Sequence, residues 1–106
     1  MNAVIERRSG LIHVPDSQEP EWTQDEAIAY ECACEAITHL MAIKTRLIHE
    51  EEQKENPDVD LITGLRMERY GLHVEREGLQ LKDHDGIARI RSEYGAIIRA
   101  FMDRNK

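Results

Sequence analysis

Residues 63–83 read "TGLRMERYGLHVEREGLQLKD", and one pattern occurs in them three times: a Gly-Leu pair, a spacer residue, then Met, Val or Leu. Each copy starts seven residues after the last, which puts glycines at 64, 71 and 78. The intervening groups "RMER" and "HVERE" are good helix formers and poor strand formers, so the stretch is expected to be helical, although its Leu-x-Met and Leu-x-Val alternation also suits strands. A glycine inside a helix costs about 0.5–1 kcal/mol relative to alanine. Close approach of a neighbouring helix along a seam of small residues would offset that cost through dispersion. Ala29, Ala33 and Ala36 on the preceding segment are the matching small residues.

Around a helical axis Leu65, Leu72 and Leu79 form one apolar stripe, with Leu61 and Ile62 beside it. Met67, Val74 and Leu81 form a second stripe on nearly the opposite side. A helix apolar on two sides is expected to be covered on both, so this one should lie between neighbours or at a subunit contact. Asp58 and Asp60 mark its start, giving a helix over about 58–81.

Upstream, "TQDE" opens the first helix. Thr23 can cap the amide of Glu26 while Glu26 reaches back, and Asp25 and Glu26 favour the positive end of the helix dipole. Tyr30, Cys34, Ile37, Met41 and Ile48 then follow helical spacing, flanked by Ala33, Leu40 and Leu47. The helix runs over about 23–54 and dissolves into "HEEEQKENP", because the residue before Pro57 is pushed out of the helical region. That makes roughly 30 residues, near 45 Å in length. Downstream of "KDHDG", capped by Asp83 or Asp85, the positions Ile87, Ile90, Tyr94, Ile97, Ile98 and Phe101 predict a third helix over about 84–103. Residues 1–22, with Pro15 and Pro20 and no helical period, read as an extended or disordered arm, within which "AVIERRSGLIHV" can form a marginal two-stranded ribbon. The expected architecture is all-α: a long antiparallel helical hairpin plus a C-terminal third helix packed across it, one helical domain over 23–106 behind an irregular N-terminal arm.

Composition supports this. With one Phe, one Trp and three Tyr in 106 residues, the core must rest on Leu, Ile, Met and Ala. A net charge of −7 disfavours nonspecific attraction to nucleic acid or an anionic membrane. No apolar run approaches the roughly 20 residues of a membrane span, and no apolar block resembling a secretory signal follows the N-terminus, so a cytoplasmic location is the default. Cys32 and Cys34, about 200° apart on a helix, are not placed for a disulfide, and one half-buried and one exposed free thiol are expected.

Chemistry-bearing patterns are sparse. Cys32, Glu35 and His39 share one side of the first helix at zinc-compatible spacing, but a fourth ligand and the usual motifs are missing, so a solvated surface is expected and no metal or cofactor. Ser9, Ser17 and Ser92 lie in no nucleophile turn, and the spaced glycines do not follow a strand as a phosphate-binding loop would. The chain is therefore expected not to be an enzyme. Charge is uneven: residues 23–57 carry eight acids against three bases, whereas residues 83–106 carry four acids against five bases. Arg66, Arg69, Arg76, Arg89, Arg91 and Arg99 could contact phosphate, so a nucleic-acid-associated accessory role is the alternative; the competing expectation is that they pair with the acidic first helix and with neighbours such as Glu68, Glu75 and Glu93.

The second apolar stripe, the arm and the acidic first helix together point to a small acidic non-catalytic protein-binding protein. By size and charge only, inhibitors, antitoxin- or immunity-like proteins and helical adaptors are analogues. The expected contact residues are Met67, Val74, Leu81, Trp22, Ile5 and Ile12. The partner is a protein, or a second copy in a dimer through the second helix.

Overall fold

The structure, a computed structural model, describes residues 22–105. Three helices account for nearly all of it: α1 spans Gln24–Glu52, α2 Val59–Gly78 and α3 His84–Arg104. Each is started by a side chain that accepts from an otherwise orphaned backbone amide. Thr23 Oγ1 accepts from Glu26 N at 3.0 Å while Glu26 Oε1 accepts from Thr23 N at 2.8 Å, completing the capping box read from "TQDE". Asp58 caps Leu61 N and Asp83 caps Gly86 N, both at 3.0 Å. The all-α hairpin with a third helix is thus the fold of the described residues. Of the expected arm over 1–22 only Trp22 is described; the ribbon, Ile5 and Ile12 fall outside the described residues.

The polar ties between helices give their directions. As α2 advances through Arg66, Arg69 and Arg76, its partners on α1 recede through Glu52, Thr45 and Thr38, so the pair is antiparallel. Along α3 the partners advance instead, His84 meeting Glu26 and Asn105 meeting Arg46, so α3 runs parallel to α1. It lies along α1 rather than crossing the hairpin: no Cα of α2 comes within 8 Å of one in α3.

Helix α1 is accordingly the shared wall of the core. Ala33 and Ile37 are buried with Ile87 and Ile90 of α3, and Leu40 and Ile43 with Phe101. Ile48 is buried with Ile62 and Leu65 of α2. Leu72, half-buried, touches both clusters that α1 forms with α3. The turn between α1 and α2 is tied by the buried Glu51, whose carboxylate accepts from Asp58 N and from the Lys54 ammonium, each at 2.9 Å. Both donors favour its ionised form, the Lys54 hydrogen bond most, and hold its pKa below the ordinary value.

Two expectations about α2 are corrected. No atom lies within 4 Å of the point where a Cβ would sit on Gly64, Gly71 or Gly78, so the glycines do not admit a facing helix within this chain. Ala29, Ala33 and Ala36 belong instead to the cluster around Ile37, Ile87 and Ile90. The cause is rotational: α2 docks through Ile62, Leu65 and Leu72, and the glycines lie roughly 120° around the axis from that line. The helix also ends at Gly78 rather than near 81, where Leu79 turns extended and packs into the Ile37–Ile90 cluster.

With open space beside it, Gly71→Ala is expected to raise stability by about 0.5–1 kcal/mol in urea unfolding at micromolar protein. Gly86→Ala should lower it by about 1 kcal/mol, because the added Cβ lands on the Asp83 carboxylate that caps α3.

Candidate functional site

The side of α2 turned away from α1 carries the three most exposed of the large apolar side chains among the described residues, Val59, Met67 and Tyr70, with Val74 in line with them. Val59 is 70% exposed, Met67 69%, Tyr70 68% and Val74 51%. With Thr63 their positions are spaced four, four, three and four, so they form one continuous stripe along the helix. Met67 and Tyr70, with Thr63 and Arg66, line a shallow hollow on it. The Tyr70 ring lies 6.2 Å from that of His73. Of the expected contact residues, Met67 and Val74 belong to this stripe and Leu81 does not. Because α2 stops at Gly78, Leu81 is carried to the start of α1, where with Leu79 and Gln80 it lines a hollow against Trp22, Ala27, Tyr30 and Glu31. Trp22, 51% exposed, thus shares a site with Leu81 and not with Met67. Tyr70 and Val59 were missed by counting only every seventh residue; the three-and-four spacing from 59 to 74 was the signal that contained them.

On the other flank of α2 a groove separates it from α3, floored by Leu40 and Leu72 and bordered by Lys44, Glu68, Gly71, Glu75 and Tyr94. One polar cluster bridges it. Glu75 accepts from the Tyr94 hydroxyl at 2.6 Å and from Arg89 Nη2 at 2.9 Å, and the Arg89 guanidinium stands 5.9 Å from the centre of the Tyr94 ring. Burial, more than the Glu75 hydrogen bond, pushes the Tyr94 phenol above its ordinary range. All three groups are satisfied by one another, which makes the cluster a strut rather than a poised acid or base.

The six candidate arginines separate into two groups. Arg66 donates to Glu52, Arg69 to Thr45, Arg76 to Thr38 and Arg89 to Glu75, each at 2.8–2.9 Å. Arg91 and Arg99 lie at exposed positions on α3. The arginines of α2 therefore tie the hairpin, Arg66 through an acid of α1 as expected and Arg69 and Arg76 through its threonines instead. Cys32 and Cys34 are both half-buried free thiols, so the expected exposed one is not found. Among the described residues no three His, Cys, Asp or Glu side chains are grouped to hold a metal ion, and Cys32, Glu35 and His39 do not converge. No helix among them is long and apolar enough to cross a membrane.

Among the described residues, fold and surface define an all-α arrangement of three helices with a continuous line of exposed apolar side chains on α2. Comparison with protein-family models, with curated proteins and with solved structures finds no match.

At the opposite end, Glu26 accepts from Lys82 Nζ at 2.9 Å and pairs with His84 Nε2 at 2.6 Å, tying the loop before α3 to the start of α1. The Lys82 hydrogen bond chiefly, then Thr23 N and His84, bring its pKa from the ordinary 4.5 to about 2. A carboxylate depressed in the folded state contributes stability above pH 4.5 that is lost as pH falls toward 2. Glu26→Gln should therefore flatten the dependence of Tm on pH across that window and leave its form above pH 6 unchanged. Tyr94→Phe, which removes one of the two donors to Glu75 and leaves the Arg89 bond in place, should cost about 1 kcal/mol in urea unfolding with the helical circular dichroism intact.

Proposed function

We propose that this chain is a small acidic non-catalytic protein-binding protein of the inhibitor or adaptor kind, and that it engages a protein partner through the outer face of α2. The observation that carries this is the run Val59, Met67, Tyr70, Val74, each at least half exposed on one side of a well-packed helix. Large apolar side chains gathered in a line leave a hydration cost that association relieves, and Met and Tyr are enriched where proteins meet. The chain's net charge of −7 favours a partner with a basic rim, and a cytoplasmic setting suits its two free thiols. A nucleic-acid role has less support, because Arg69, Arg76 and Arg89 hold Thr45, Thr38 and Glu75 within the chain.

A photo-crosslinking residue at position 67, with His39 on the exposed side of α1 as the control position, tests this in extract of the native host. Protein adducts are expected from position 67 and not from 39, to survive about 0.5 M salt, and to be lost on Val74→Glu. Equal adducts from both positions, or retention on DNA that falls steeply with salt, would refute it.

A further inference from the structure

Resting on the assignment of the outer face of α2 as a protein-binding surface, we infer that its occupant is a second copy of the same helix, set antiparallel about a two-fold axis. The argument is that the charges on this face complement themselves. Arg66 and Glu77 border the apolar stripe on the same side, about three turns apart, and so lie within roughly 20° of one line along α2. A two-fold axis midway between them brings each Arg66 opposite the second copy's Glu77. A parallel two-fold pair would instead lay the Arg66–Glu77 border of each copy beside the glycine border of the other, so the two opposite charges would not meet.

The groups already paired with these two extend the complementarity. Arg66 is bound to Glu52 at 2.9 Å, and Glu77 lies 3.8 Å from Arg76. Across the axis the order becomes Glu52, Arg66, Glu77 and Arg76, alternating in sign, so a chain of net charge −7 meets itself over a locally balanced border. The same axis sets Tyr70 of each copy on the other's Val74, twice, and lays each Met67 toward the other's Gly78. The opposite border of the stripe is formed by Gly64, Gly71 and Gly78 with open space beside them, which leaves room for a facing helix. Val59 lies beyond the overlap. Three turns of one helix bury less than the roughly 800 Å² per partner of a standard interface, so dissociation constants between micromolar and millimolar are expected.

Sedimentation equilibrium of the full chain from about 10 μM to 1 mM tests this, with circular dichroism confirming that each variant folds. The wild type should dimerise. Glu77→Arg and Arg66→Glu should each weaken dimerisation about tenfold or more, Arg66→Glu with Glu77→Arg should restore it to within about threefold, and Tyr70→Glu should abolish it. A wild type monomeric at 1 mM, or a double reversal no better than the singles, overturns the inference. A wild type monomeric at 1 mM together with position-67 adducts that contain a different protein overturns this inference alone, whereas adducts no more abundant from position 67 than from 39 overturn the protein-binding assignment itself.

Discussion

The fold depends on one helix burying apolar side chains in two directions. Ala33, Ile37, Leu40 and Ile43 face α3, while Ile48, two turns beyond Leu40, faces α2. A single apolar side can pack against one partner, but α1 is long enough to spread its contacts along its length as well as around its axis. Its first half and middle bury α3, and its last turns bury the start of α2. This arrangement explains why α2 and α3 need not touch through their backbones. Each is held by α1, and the space between them is closed by Leu72 below and the Arg89–Glu75–Tyr94 strut above.

That division leaves α2 half clothed. A helix gripped from one side by α1 and approached only through side chains by α3 has an outer surface with no neighbour in the chain. The exposed stripe is thus the side of α2 that neither of the other helices covers, and the protein-binding role proposed for it follows from topology as much as from composition.

Two polar ties stand where the chain reverses. Glu51 joins the last turn of α1 to the N-cap of α2, and Glu26 joins the first turn of α1 to Lys82 and His84 ahead of α3. Both are carboxylates held low by donors on the far side of a turn. Surface ion pairs contribute little singly, generally under about 1 kcal/mol. Their effect here is to fix which loop closes on which helix end, a matter of register that apolar contacts specify poorly.

Local signals were legible because they depend on residues three or four apart. Thr23 with Glu26, Asp58, Asp83 and Pro57 set the helix limits to within a few residues, and the spacing from Ile87 to Phe101 marked the side of α3 that is buried. On α2 the sequence determined that two apolar lines exist, since that requires only a helical period. Which of them is covered was a tertiary decision, made when α1 took Ile62, Leu65 and Leu72. The glycines were misread for the same reason: a small residue every seventh position has one local chemistry whether a neighbour approaches it or solvent does. Leu81 was misplaced because a helix end is set by competition, here between one more turn and the burial of Leu79 against Ile37 and Ile90, of which Ile37 lies on another helix more than forty residues away along the chain. Sequence periodicity names the faces of a helix; only the packed chain assigns each face a neighbour, because burial is a property of what stands opposite.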